Sequence, residues 1–153
     1  MINASVRIFT PDLKLEGVVA NYESLVVADM WYGVGIFQMT INRHKKHVDK
    51  LQKGNILSVN NDYNKPYIIL HKEIELTERG KITENWLIRG MELKIILGRR
   101  ITLPPAHTAY DNRSGDVDLV MRHYINGNAV SPIDAKRRIS QLLLSEKATG
   151  TNI

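Results

Sequence analysis

The chain has 153 residues, of which 43% are hydrophobic and 24% charged, as in a globular protein with a core of its own. It contains no cysteine, which excludes disulfides, thiolate metal sites and thiol catalysis. The net charge of +5 is spread over several short basic segments and only 7% of residues are aromatic, which favours a solvated surface or an acidic protein partner over nucleic acid.

Residues 5–41 predict β-strands. Val6 and Ile8 alternate with polar neighbours, and the β-prone stretch 15–29 predicts two strands or one bent strand. Residues 36–41 alternate along their whole length, so one face of this strand is apolar. That face carries Phe37, Met39 and Ile41.

A polar helix is predicted after these strands. Asn42 has the residue type of a helix N-cap, and Gly54 is the expected stop. Between them, residues 43–53 predict a helix that Val48 and Leu51 anchor to the core.

The next segments predict a short strand and a β-hairpin. Residues 56–59 form the strand, and residues 67–77 and 82–89 are the two arms around a turn at 78–81. Alternation in the first arm predicts one half-buried face. That face carries Ile68, Leu70, Ile74 and Leu76.

The segment from Gly90 to the two prolines at 104–105 predicts the exit from a β domain. Gly90 is expected to end a strand, residues 91–97 to form about two turns of helix, and Gly98 to end that helix. Residues 99–103 predict a short extended run, and the prolines exclude both helix and ladder pairing beyond it.

Two helices are predicted in the remaining chain. Apolar residues at helical spacing predict the first, with Gly127 at its end. They are Val117, Val120, Met121, Tyr124 and Ile125. Ser131 and Pro132 predict the start of a second helix over residues 133–145, and residues 147–153 are expected to fray. The inner face of the second helix would carry Ala135, Ile139, Leu142 and Leu143.

These elements predict an α+β protein that is mainly β. Residues 1–103 are expected to form an antiparallel β-barrel or sandwich with one inserted helix. Residues 104–153 are expected to form a linker and the helical start of a second domain.

The candidates for chemistry all favour structural interpretations. His44 and His47 have a spacing that can hold a metal, but neighbouring lysines would repel a cation. His71 and Glu73 share a strand face, which is common without catalysis. Three acidic residues incompletely match a calcium loop, and helix capping explains them better. They are Asp111, Asp116 and Asp118. We predict no catalytic residue, no cofactor site, no metal site and no enzymatic activity.

The order of the segments resembles the N-terminal part of the tail hub proteins of long-tailed phages and prophages, also called tail-associated or minor tail proteins. The resemblance covers roughly residues 5–145. It rests on five segments in sequence, which are Val6–Gly17, Tyr22–Leu25 with Trp31–Ile41, Leu51–Leu57, Gly90–Pro105 and Val120–Asn128. Where many relatives have a proline, this chain has Val34. Relatives also continue beyond the point where this chain stops, so the chain is expected to be a fragment.

The resemblance implies a structural virion protein of the tail tip or baseplate hub, made in the host cytoplasm and located in the tail. It implies a homo-oligomer, expected to be a trimer, that contacts the distal tail protein and the tail tube or tape-measure proteins, without membrane or nucleic acid. Trp31, Tyr32, Arg99 and Arg100 are predicted subunit contacts, since aromatics and arginine are enriched at interfaces. For the two aromatic residues, core packing is the stronger prediction.

Two other functions are compatible with the composition. A small basic β-barrel that binds nucleic acid is the main alternative, because the pI is about 9.5 and the predicted strands are spaced as in a barrel. A cell-wall hydrolase is suggested only by the resemblance, and no acid–base pair in the sequence supports it.

Overall fold

The computed structural model describes residues 4–76 and 80–145, with the backbone alone at positions 75 and 76. Seven antiparallel strands form one sheet. In chain order they are β1 (Val6–Phe9), β2 (Leu15–Val19), β3 (Ser24–Ala28), β4 (Ile36–Asn42), β5 (Ile56–Val59), β6 (Tyr67–Leu76) and β7 (Ile82–Glu92). The order across the sheet is β2-β1-β5-β6-β7-β4-β3, so β2 and β3 are its edges.

The sheet is open, and this corrects the expectation of a closed barrel or a two-sheet sandwich. The mainly β, antiparallel character is confirmed. Among the described residues β2 pairs only with β1, and β3 pairs only with β4. The loop that connects β2 to β3 is held by two hydrogen bonds. The Tyr22 hydroxyl donates to the Ala4 carbonyl at 2.9 Å, and Glu23 N–H donates to the Thr40 carbonyl of β4 at 2.9 Å. After β2 the chain therefore crosses to β4 and pairs with it as β3, and the two edge strands do not pair with each other in the described residues.

The apolar core lies on one face of the sheet, as the alternation in β4 predicts. Phe37, Met39 and Ile41 are all buried, which confirms that prediction. The predicted face of β6 is correct only in part. Leu70 is buried as predicted, whereas Ile74 is 48% exposed, and the side chain of Leu76 lies outside the described residues. Tyr67 and Ile69 also enter the core, and the ladder with β7 shifts register just beyond Ile69, so the simple alternation fails there.

Strand β7 runs through Gly90 to Glu92, so the prediction that Gly90 ends a strand is wrong. A side chain at Gly90 would collide with the Ile68 carbonyl oxygen and the Phe37 ring, which explains why glycine occupies this ladder position. The predicted helix over 91–97 is also wrong, because only the short helix α1 (Ile95–Gly98) forms, and it includes Gly98. Residues 99–103 form no strand.

The polar segment 43–53 is not the predicted α-helix. It contains a single 3-10 turn (Val48–Lys50), although Val48 and Leu51 are both buried as expected. The chain turns first at Asn42, whose Oδ1 accepts the His44 N–H at 3.0 Å, and then at His47, whose φ of 65° no α-helix permits.

The chain divides into two compact units, residues 1–95 and 96–153. The domain boundary between residues 103 and 104 stays a prediction. The second unit contains α2 (Val117–Ile125), which confirms the first predicted helix. The helical conformation does not end at Gly127, as predicted, but continues as a π-helical segment (Asn126–Val130).

The helix predicted over 133–145 is wrong. Only a 3-10 turn (Ala135–Arg137) forms, with the Asp134 side chain accepting the Lys136 N–H at 3.0 Å. Ile139 N–H donates instead to the Ala129 carbonyl at 2.8 Å, which an α-helix does not allow. Of the turn predicted at 78–81, residues 78 and 79 lie outside the described residues, and so does the tail at 147–153.

Candidate functional site

Edge strand β3 presents apolar side chains to solvent on both faces of the sheet. Its sequence, Ser-Leu-Val-Val-Ala, contains no charged residue and no proline. Leu25 and Val27 lie opposite Met39 and Phe37 of β4, so they point to the core side. Val27 is nevertheless 40% exposed, and Val26, on the outer face, is 58% exposed. An edge of this kind lacks the features that usually prevent pairing with another chain.

The loop between β3 and β4 extends this apolar surface. Trp31 is 91% exposed and Tyr32 is 98% exposed, so the prediction that they pack in the core is wrong. Neighbouring Met30 is also half exposed. Their role as subunit contacts stays a prediction.

The base of this loop is fixed by a buried carboxylate. Gly35 N–H donates to Glu92 Oε2 at 3.1 Å, and Glu92 N–H donates to the Gly35 carbonyl at 2.8 Å. Lys94 forms an ion pair with the same carboxylate. Its hydrogen bond lowers the pKa of Glu92 and, together with the Gly35 N–H, outweighs the opposing effect of burial. The aromatic residues therefore sit on an anchored loop.

A groove of about 420 Å³ lies beside β3. Its apolar side includes Leu25 and Val27 of β3. On its polar side Lys65 Nζ donates to Asp29 Oδ2 at 2.6 Å, which lowers the pKa of Asp29, and the Tyr67 hydroxyl lies 3.3 Å from Asp29 Oδ1.

The polar groups of the groove are suited to hydrogen bonding. Burial, followed by the charges of nearby carboxylates, raises the pKa of Tyr67 to about 12. Its phenol therefore stays protonated at neutral pH and serves as a hydrogen-bond donor. An apolar wall with a few fixed polar groups can hold an extended chain segment.

Strand β2 is the second open edge. Leu15 is 54% exposed and Val18 is 43% exposed, while Val19 faces the core. The sequence did not identify either edge, because strand order depends on pairing between distant segments.

Arg99 and Arg100 lie in the second unit and differ in their surroundings. Arg99 is exposed. The Arg100 guanidinium donates to the backbone carbonyl of Asn128 at 2.9 Å and to that of Arg137. Arg100 thus stabilises its own unit, and the subunit contact predicted for both arginines stays untested.

Three of the acidic candidate residues form local pairs. Glu73 binds Arg89 at 3.1 Å, and Asp118 binds Arg122 at 2.9 Å. His123 Nε2 lies 2.9 Å from Asp111 Oδ2, a pair that the sequence did not suggest. Within residues 4–76 and 80–145, no three histidine or acidic side chains converge to hold a metal ion. The helices of the same ranges are all too short or too polar to cross a membrane.

Comparison with protein families gives a match over most of the chain. The family model described as Siphovirus ReqiPepy6 Gp37-like protein matches residues 5–152. No curated protein matches the chain.

Proposed function

Because this chain belongs to the Siphovirus ReqiPepy6 Gp37-like protein family, whose members are siphophage proteins, we propose that it is a structural subunit of the phage tail tip or baseplate hub. In this role it forms a homo-oligomer, a trimer, and connects the tail tube and the distal tail protein to the tip. Its place is the virion tail, and it acts by binding and not by turnover.

The observation that carries the proposal is the exposed apolar surface formed by β3 and the Met30–Tyr32 loop. Two aromatic rings that are more than 90% exposed, Trp31 and Tyr32, lie next to a strand edge without a ladder partner in the described chain. Burying one such ring removes roughly 150–250 Å² from water, on the order of 4–6 kcal/mol before the costs of association. A surface of this kind is typical of a protein that works in an assembly.

The anchoring of the loop supports the same function. Glu92 binds both the loop base at Gly35 and the side chain of Lys94. Because the base is fixed, less conformational entropy is lost when the loop meets a partner, and this favours binding.

Native mass spectrometry across a concentration series tests the proposal. We expect a trimer that dissociates on dilution, and we expect Trp31→Ala with Tyr32→Ala to shift dissociation to higher concentration by at least tenfold. Tyr110→Ala is the matched control, since Tyr110 is an aromatic residue that is 75% exposed in the second unit. A protein that stays monomeric at high concentration, alone and with the distal tail protein, would contradict the proposal.

A further inference from the structure

We infer that edge strand β3 receives an extended segment of a partner protein, which adds to the sheet as an antiparallel strand and places every second side chain in the groove beside β3. The partner is another protein of the same assembly, so this inference rests on the proposed function and names what one of its surfaces binds. Trp31 and Tyr32 stay the proposed contacts between copies of the chain.

The hydrogen bonds of β4 determine which backbone groups of β3 face outward. Arg43, which follows β4, donates its N–H to the Glu84 carbonyl at 2.7 Å, so the odd-numbered residues of β4 direct their backbone groups toward β7. The even-numbered residues therefore bond β3, in agreement with the Glu23 N–H that donates to the Thr40 carbonyl at 2.9 Å. The β3 residues opposite them are Ser24, Val26 and Ala28.

Leu25 and Val27 thus direct their backbone N–H and C=O groups away from the sheet. Within residues 4–76 and 80–145, these groups form no hydrogen bond on that side. They offer two donors and two acceptors at the spacing of the closely bonded pairs of an antiparallel ladder. An edge of this kind, with no charged residue and no proline, readily pairs with a strand of another chain.

The groove of about 420 Å³ lies beside the same edge. Leu25 and Val27 form part of its lining, and Ala4 and Val59 line it from the part of the sheet that contains β1 and β5. Because β3 is far from β1 and β5 in the strand order, the groove is a gap that the curved sheet leaves open beside β3. A strand paired with β3 would direct alternate side chains into this gap, and those opposite Leu25 and Val27 should be apolar.

The charges of the groove favour a basic side chain on the partner segment. The Asp62 carboxylate lines the groove, accepts the Asn64 N–H at 2.9 Å and has no ion-pair partner in the described part of the chain. The other cation and acid of the groove, Lys65 and Asp29, already bind each other. A cationic side chain of the partner therefore has Asp62 as its carboxylate.

Edge strand β2 differs from β3 and supplies a control. The His47 ring lies so close to Gly17 that a Cβ there would meet its Cγ at 2.7 Å, so the core side of β2 is covered at this position. The Asn60 N–H donates to the Ser5 carbonyl at 2.8 Å, which directs odd-numbered residues of β1 toward β5 and even-numbered ones toward β2. The backbone groups of Val18 therefore point outward, as those of Val27 do.

Nuclear magnetic resonance with a synthetic peptide tests the pairing. The probe is acetyl-Arg-Thr-Val-Thr-Val-amide, whose third and fifth residues would lie opposite Val27 and Leu25. At saturation we expect amide exchange at Leu25 and Val27 to slow at least about tenfold, because both N–H groups gain an acceptor. Exchange at Val26, which already bonds β4, should stay unchanged.

Two methylated peptides are matched controls for the strand geometry. A methyl group on the backbone nitrogen of the third residue removes a donor that faces β3, and binding should weaken at least about tenfold. The same methyl group on the fourth residue points away from β3, and the affinity should stay within about threefold of the parent peptide. Equal weakening by both methyl groups would overturn the pairing.

Val27→Pro tests the same hydrogen bond from the side of the protein. Proline removes the N–H that faces the peptide and breaks no bond to β4, so the peptide should no longer bind while the circular dichroism spectrum is retained. Val18→Pro makes the corresponding change on β2, and this variant should bind the peptide as the parent does. If Val27→Pro does not fold, the two methylated peptides decide the outcome.

Asp62→Asn tests the charge preference. The variant should bind the arginine peptide about threefold more weakly than the parent does, as expected for an exposed ion pair. A peptide with glutamine in place of arginine should bind the variant and the parent equally. Equal binding of the arginine peptide to both proteins would overturn the assignment of Asp62.

The outcomes separate this inference from the proposed function. Unchanged exchange at Leu25 and Val27 in a protein that is still an oligomer overturns the inference and leaves the tail hub function standing. Dissociation of the oligomer by Val27→Pro would show that a second copy occupies β3, which overturns the assignment to a partner protein. Strand pairing by a protein that stays monomeric, alone and with the distal tail protein, supports the inference and contradicts the proposed function.

Discussion

In the first compact unit, apolar side chains from β1, β4, β5, β6 and β7 fill one buried cluster, whereas the buried residues described in the second unit are Asn128 and Ala129. The Asn128 side chain accepts Leu103 N–H at 2.8 Å and donates to the Tyr124 carbonyl at 3.0 Å. The backbone carbonyl of Asn128 accepts a hydrogen bond from Arg100. The first unit thus depends on burial shared among many residues, and the second on hydrogen bonds that meet at one residue.

The largest effect is expected where the first unit is packed most closely. Gly90→Ala places a methyl group against the Ile68 carbonyl and the Phe37 ring, and neither a ladder carbonyl nor a buried ring can move away. We expect a loss of more than about 3 kcal/mol in the free energy of unfolding, since overpacking costs about 1–3 kcal/mol even where side chains can shift. Urea unfolding followed by circular dichroism measures it.

Gly127→Ala is the control from the second unit. A Cβ at Gly127 meets no atom within 4 Å, so its effect should stay within about 1 kcal/mol. Equal stability of the Gly90→Ala protein and the parent would contradict the close packing of β7.

A medium, local effect is expected at the centre of the second unit. Asn128→Ala removes both side-chain hydrogen bonds and leaves Leu103 N–H without its acceptor, a loss of about 1–3 kcal/mol. Hydrogen exchange should accelerate at residues 101–103 and 124–130 and stay unchanged in the strands. Asn126→Ala, an exposed position of the same π-helical segment, should leave exchange near the parent rate. Faster exchange throughout β4 and β7 would show that the two units do not unfold separately.

A smaller effect that depends on pH is expected at the loop base. The pKa of Glu92 is lowered from its ordinary 4.5, so the unfolded chain binds this proton more readily. The carboxylate therefore stabilises the fold fully above about pH 4.5, and this contribution disappears as the pH falls through the folded-state pKa. Glu92→Gln should destabilise the protein at neutral pH, and its difference from the parent should shrink as the pH falls further below 4.5, as thermal unfolding at a series of pH values can measure. Glu23→Gln, at an exposed carboxylate, should differ little from the parent throughout the series.

The smallest effect is expected for a surface ion pair of the second unit. Asp118→Asn breaks the pair with Arg122 on α2, and exposed pairs of this spacing contribute about 0.3–0.5 kcal/mol. The difference in melting temperature should decrease in high salt, because salt screens the pair in the parent. An effect comparable to that of Asn128→Ala would mean that the second unit does not depend chiefly on Asn128.

The strands could be predicted where one face of the sheet is buried. In β4 the alternation of Phe37, Met39 and Ile41 follows directly from that burial. The alternation does not reveal which strands are neighbours, so the open edges at β2 and β3 could not be predicted. It also fails in β6, where the register shift beyond Ile69 changes which side chains face the core.

The exposure of Trp31 and Tyr32 and the absence of the helix predicted over 133–145 could not be derived from the residue types alone. Glycines at 33 and 35 indicate a turn, but they do not determine whether Trp31 points to the core or to solvent. Around residue 134 the capping signal is correct, since Asp134 does bind Lys136 N–H, yet the bond from Ile139 to Ala129 ends the turn. A contact between segments thus overrides the local preference.

The close approach at Gly90 has a mechanical consequence. Strands β4, β7 and β6 meet there with no space between the Phe37 ring and the Ile68 carbonyl, so they move together as a stiff plate. The edge strands β2 and β3 deform more easily, because in the described residues each pairs with only one neighbouring strand. A force applied to this subunit would therefore bend the sheet at its edge strands while its centre keeps its shape.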